Sequence, residues 1–190
     1  MRDLCRKWAR LSRHKDFVED EEGAIAIEAA IILPMMFWSY LTVFAIFDSF
    51  HIYSLNQKAA YTIGDAISRE TLPIDDAYLT GAWQMFDYLS HANGVTGIRV
   101  TSIVYDGTSD QHYVDWSEGR GYGSTSLTNS DIDDWETKLP TMVDGERINV
   151  VETWNRFEPA FKTGLERVWM REFVFTRPRY APRVCWEICN

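Results

Sequence analysis

The chain has little of what several common chemistries require. Its 190 residues include only three cysteines and four histidines. Three cysteines cannot build the framework of a small disulfide scaffold. His14, His51, His91 and His112 are scattered, and no two make a ligand-spaced pair. Lys and Arg number 19 against 28 Asp and Glu, giving a net charge of -9 and a pI near 4.9. Neutralising phosphates takes clustered cations on one surface, so nucleic acid is not an expected partner. There is no nucleophile elbow, phosphate loop or pair of zinc ligands. Asp131, Asp133 and Asp134 cluster, but without the Gly and terminal Glu of a calcium loop they read as a solvated loop. The expectation is a non-enzyme with no catalytic, cofactor or metal site.

What the chain does have is one long apolar block. Ala24 to Phe47 reads AIAIEAAIILPMMFWSYLTVFAIF, with Glu28 as its one formal charge. At about 1.5 Å per residue this makes about 36 Å of helix, against a hydrocarbon thickness of about 30 Å. Helices buried in soluble cores rarely run this far without a polar face. Residues 1–15 hold Arg2, Arg6, Lys7, Arg10, Arg13 and Lys15 against the single acid Asp3, whereas Lys58 is the one Lys or Arg between Asp48 and Ser68. The positive-inside rule then places residues 1–23 in the cytoplasm as a leader, 24–47 in the membrane and 48–190 outside the cytoplasm. A secretory signal peptide fits less well, because its apolar region is shorter and no small-x-small cleavage site is clear after Phe47.

This topology leaves Cys5 in a reducing compartment and puts Cys185 and Cys189 in an oxidising one. Side chains four apart on a helix or strand do not meet disulfide geometry, so a bond there needs a local turn. The spacing favours free thiols.

Glu28 is the most informative residue. A carboxylate inside a transmembrane segment is costly and usually serves a partner or a function. A carboxylate that reaches headgroups from the end of the helix would need neither. Here it follows Gly23 by five positions in GAIAIEAAIILP, after the acidic patch Asp16, Glu19, Asp20, Glu21 and Glu22. The arrangement resembles the processing site of type IV prepilins. On that resemblance Gly23 ends the leader, Ala24 becomes the new amino terminus, and Glu28 is the fifth mature residue. A residue without a side chain lets the backbone enter the narrow active site of a prepilin peptidase. Pro34 removes the backbone bond to Ala30 and can kink the span.

Beyond the span, Phe50, Tyr53, Ala60, Ile63 and Ile67 continue a helical period, predicting one helix from Ala24 to Glu70. A second helix is predicted to open at Pro73 and end at Gly94, with Ile74, Tyr78, Ala82, Phe86 and Leu89 as its stripe. IRVTSIVYDG and QHYVDW read as two strands around an Asp-Gly turn. Residues 118–146 read as a long polar excursion with a helical turn near 130–139. Further strands are predicted at Arg147 to Trp154 and Val168 to Thr176. The fold class is α+β: a long amino-terminal helix, a second helix and an antiparallel sheet of about four strands, covered on one face. Most of the eight tryptophans are expected in the core.

In this order the segments GAIAIEAAIILP, IRVTSIVYDG, YVDW, INVVETWNRFEPAF and FVFTRPR resemble the TadE-like minor pilin family (TadE or TadF) of tight-adherence type IV pilus systems. The resemblance implies a pilin-like fold and a role in pilus biogenesis and adhesion. It implies as partners a prepilin peptidase, other pilin or pseudopilin subunits, the inner-membrane assembly platform and the lipid bilayer. The competing expectation is an uncleaved, signal-anchored envelope protein whose exported domain binds a ligand or a secretion-system partner.

Overall fold

The apolar block and the amphipathic stretch after it form one element. Helix α1 runs Glu21–Ser68 with Pro34 inside it. The computed structural model describes residues 21–91, 95–161, 164 and 166–189. The leader residues 1–20, with Cys5 and His14, lie outside these, as does Gly94. Two units divide the chain between Ile46 and Phe47. In the first, α1 leaves most of its large apolar side chains exposed, from Ile25 through Ile46. It is the helix near the amino terminus that is long and apolar enough to cross a membrane.

In the second unit α1 buries Ala59, Ala60, Ile63 and Ile67, a stripe at intervals of three and four. Phe50 and Tyr53, expected on the same face, stay exposed. Helix α2 covers Asp76–Leu89 and opens later than Pro73 suggested. Its cap is Asp75, whose carboxylate accepts from the Tyr78 amide at 2.8 Å and satisfies one of the unpaired amides of the first turn. Ile74 is instead a strand-like residue bridged to Trp186. Leu79 and Phe86 form the buried stripe of α2.

Strands β1 (Thr96–Asp106), β2 (Gln111–Gly121), β3 (Arg147–Phe157) and β4 (Val168–Thr176) make an antiparallel sheet in the order β2-β1-β3-β4. The β1–β2 turn is longer than a two-residue Asp-Gly loop. Residues 107–110 make it, and Asp110 rather than Gly107 takes the left-handed conformation, at φ 56°. β2 continues to Gly121, so four residues assigned to the excursion are strand.

The sheet is covered on both faces, which corrects the expectation of one. On the helical face Ile98, Val100 and Val151 pack with Ile63, Ile67, Leu79, Phe86 and Val184. Side chains alternate along a strand, so the neighbouring positions Ile103, Ile148 and Val150 face the other way. There they meet Ile132, Trp135 and Met142 of the excursion. Two short 3-10 turns, Asn129–Asp131 and Asp133–Trp135, shape that cover. Asp131 acts here as a turn residue, accepting from the Thr128 hydroxyl at 2.7 Å and the Thr128 amide at 2.8 Å. Those bonds hold its carboxyl below the usual range.

Cys185 and Cys189 are bonded, with Cα atoms 5.3 Å apart. The spacing favoured free thiols, but the chain makes the local turn that the bond needs, with Glu187 at φ 54°. The turn is clasped to the α1–α2 linker: Ile74 donates to the Cys185 carbonyl at 2.9 Å and accepts from the Glu187 amide at 2.8 Å. Trp116 Nε1 donates to the Val184 carbonyl at 2.8 Å, tying the same segment to β2. Opening so short a loop should cost about 2 kcal/mol of stability. The expected result is a melting midpoint lower by about 4 °C or more in reductant, matched by the double variant Cys185→Ser/Cys189→Ser. Equal midpoints would show that the clasp holds without the bond.

Candidate functional site

Three residues singled out from the sequence, Gly23, Ala24 and Glu28, lie in helical backbone at the start of α1. Glu28 is exposed, among Ile25, Ile27, Ile31 and Ile32, which are all exposed as well. A carboxylate thus projects from a surface that water does not favour. Soluble monomers rarely leave an apolar surface of this extent uncovered, and such surfaces mark membrane or protein contacts. In hydrocarbon the opposite holds: the isoleucines are at home, and the carboxylate is the group that needs a partner.

Sequence reading missed a second feature, an open cleft of about 620 Å³ inside the folded unit. Helix α1 supplies Asp48, His51 and Ile52, the end of α2 and the turn beyond it supply Asp87, Tyr88 and His91, and β3 with its exit supplies Asn155 to Glu158. His51 and His91, read as unrelated, share this cleft. No local signal could have joined them, because the pairing depends on how α1, α2 and β3 pack.

The cleft is lined largely by polar residues, two of which keep a buried side-chain atom without a partner. Asp87 Oδ1 accepts from the Thr96 hydroxyl at 2.7 Å, which in turn lies 3.2 Å from Trp83 Nε1. Arg156 Nη2 donates to Glu158 at 3.0 Å, while its buried Nε has no partner. Asn155 is buried and gives its Nδ2 to Asn56 Oδ1 at 3.0 Å, leaving its own Oδ1 unpaired. Buried polar atoms without partners are uncommon and cost about 1–3 kcal/mol each.

No family model, curated protein or solved structure matches the chain.

Other polar groups read as structural. Arg99 Nε donates to Glu152 at 2.7 Å across β1 and β3, and the Arg99 guanidinium lies 5.0 Å from the centre of the Trp154 ring. Burial pushes the Glu152 carboxyl up, against the pull of Arg99. Burial, with Glu70 alongside, likewise pushes the Tyr78 hydroxyl up to about 12. Among the described residues no group of three His, Cys, Asp or Glu side chains is placed to hold a metal ion. Of the tryptophans, Trp135 and Trp154 are buried, whereas Trp83, Trp116, Trp169 and Trp186 are half-buried at the margins of the cores.

Proposed function

We propose that this chain is a minor pilin-like subunit of a tight-adherence type IV pilus. In this reading residues 24–47 cross the inner membrane with the amino terminus cytoplasmic, and residues 48–190 lie outside the cytoplasm. A prepilin peptidase cuts after Gly23, and the mature chain joins other pilin or pseudopilin subunits at the inner-membrane assembly platform. One observation carries the reading: an exposed, membrane-length apolar helix bears a single carboxylate, five residues after a glycine.

The chemistry follows from that arrangement. Cleavage frees the α-amine of Ala24. In an assembling filament the Glu28 carboxylate of one subunit accepts from the amine of its neighbour. Water is scarce between packed stems, so the attraction is stronger than at a wet surface, and a subunit out of register leaves a charge unpaired. The pair thereby sets axial position, and the surrounding isoleucines add about 1.5–3 kcal/mol for each side chain moved fully out of water.

The test is the mass and amino-terminal sequence of the membrane-extracted protein from cells with and without the peptidase. Cleavage predicts a chain starting at Ala24 only where the peptidase is present. An intact Met1 form in both strains would overturn processing. It would favour the uncleaved, anchored reading, in which the cleft of the folded unit serves a ligand or a secretion-system partner.

A further inference from the structure

We infer that the outer edge of β4 is a docking site for an extended segment of a partner protein, which adds to the sheet as an antiparallel strand and carries a carboxylate between apolar residues. The inference stands on the folded unit alone and assigns it a partner surface that neither the apolar helix nor the cleft supplies.

The hydrogen-bond phase of the sheet fixes which groups the edge presents. Residues opposite one another in an antiparallel pair alternate between exchanging both backbone bonds and exchanging none. The Arg156 amide donates to the Val95 carbonyl at 3.2 Å and the Tyr105 amide to the Glu146 carbonyl at 3.0 Å, one at each end of the β1–β3 ladder. The even-numbered residues of β3 therefore bond to β1, and its odd-numbered residues turn to β4. Their partners there are Val168, Met170, Glu172, Val174 and Thr176. The amides and carbonyls of Trp169, Arg171, Phe173 and Phe175 point the other way, and among the described residues nothing is hydrogen-bonded to them.

The opposite edge of the sheet is guarded. β2 is bulged where it passes Ser102 and Ile103, and its Val114 amide donates to Asn129 Oδ1 at 2.8 Å. The chain then folds back so closely that a Cβ on Gly119 would lie 2.7 Å from the Ser124 Cα. Bulges and covering loops are how sheets block further pairing. Among the described residues β4 has neither. An open groove of about 510 Å³ lies at its end, lined by Tyr61 and Asp65 of α1 and by Phe175, Thr176, Arg177 and Arg179. Phe175 and Thr176 face opposite sides of the sheet, so the groove reaches round the edge. Its arginines are engaged, Arg177 with Glu146 and Arg179 with Asp65, which leaves Tyr61 and Phe175 to receive an apolar side chain.

Charge selects the occupant. Arg171 is exposed and makes no hydrogen bond or ion pair with a described residue. Glu152, the carboxylate that feels its charge, is held by Arg99 at 2.7 Å, and Lys138 adds another cation beside that pair. Glu158 is shared by Arg156 and Arg167. A partner carboxylate opposite Arg171 finds a cation with no closer claim on it, and apolar residues two positions to either side lie beside Trp169 and Phe173. A second copy of β4 suits the edge less well. Full antiparallel overlap sets Glu172 against Glu172, and one register back sets Arg171 against Arg171; like charges directly opposite are destabilising.

The full-length protein in detergent micelles tests this with a peptide of nine residues, the length of β4. The peptide alternates valine with threonine, glutamate replacing the central valine, and its twin carries lysine there. Binding is read by fluorescence anisotropy and by amide hydrogen exchange. The glutamate peptide should bind roughly tenfold tighter than the lysine peptide and slow exchange at Arg171, Phe173 and Phe175 but not along β2. Arg171→Glu should invert the preference. Arg171→Pro removes an outward amide that no sheet bond uses, and should abolish binding of both peptides with the melting curve unchanged. No binding, equal affinity for the two peptides, or protection along β2 instead would overturn the inference. So would self-association of the wild type that Arg171→Pro abolishes, because a second copy would then hold the edge. None of these readouts needs cleavage or a membrane, so the pilus reading stands or falls separately.

Discussion

If the chain is the pilin-like subunit proposed above, replacing Glu28 by Ala should remove it from filaments while leaving it in the membrane. The substitution deletes the single charge of the apolar run, so insertion becomes easier. Assembly loses more than one contact, because the neighbour's α-amine is left in a poorly hydrated setting without its counter-charge. Breaking one side of a buried pair costs about 3–5 kcal/mol. At about 1.4 kcal/mol per tenfold, subunit association should weaken by roughly 100-fold or more. Glu28→Gln keeps the size and an acceptor oxygen but not the charge, and should remain strongly impaired. Immunoblots of the sheared surface fraction and of the membrane fraction check both halves of the expectation. Wild-type amounts of surface pili in Glu28→Ala would refute the charge-pairing mechanism, and with it the reason for placing a carboxylate in lipid.

The second large effect concerns the folded unit. Gly97→Ala should cost about 3 kcal/mol or more, a large part of the 5–15 kcal/mol that holds a typical domain together. A Cβ on Gly97 would lie 1.7 Å from the Tyr122 carbonyl oxygen and 2.6 Å from the Tyr122 backbone nitrogen. Both are backbone atoms, so no rotamer change relieves the clash. The chain passes this close because it folds back over β1 where β2 ends, the Tyr122 amide donating to the Thr96 carbonyl at 2.9 Å. Moving it would also disturb the stack of Tyr122 on Trp169, whose ring centres are 4.2 Å apart. Gly81→Ala is the matched control. It lies within α2 with nothing within 4 Å of a new Cβ, so alanine should add about 0.5–1 kcal/mol through helix propensity. Urea unfolding followed by tryptophan fluorescence should move the two midpoints in opposite directions. An unshifted midpoint in Gly97→Ala would show that the close approach is not kept in solution.

Much of the fold was legible because its signals are local. The run from Ala24 to Phe47 announces a helix by composition, and Ala60, Ile63 and Ile67 announce its buried stripe by spacing. The apolar residues of IRVTSIVYDG marked β1, and β3 and β4 were placed at Arg147 to Trp154 and Val168 to Thr176, close to where they lie. The second cover of the sheet was hidden in a Gly-, Ser- and Asp-rich stretch, where the few apolar anchors, Ile132, Trp135 and Met142, are spaced too irregularly to show a period. The start of α2 was misplaced because proline is a common first-turn residue, whereas Asp75 supplied the side-chain cap.

The candidate residues divide in the same way. Gly23, Ala24 and Glu28 are neighbours along the chain, so the proposal that relates them rests on the sequence alone. Asp48, His51, His91, Asn155 and Arg156 are separated by up to about a hundred positions, and only the packing of α1, α2 and β3 gathers them. The Cys185–Cys189 bond depended on a turn that the clasp to Ile74 holds in place. By itself the sequence determined the membrane-length helix, its lone carboxylate and the α+β class, because each follows from periodicity or composition within one segment. The tertiary structure alone decided the two-faced core, the disulfide and the polar cleft, because each depends on contacts between residues that the chain holds far apart until it folds.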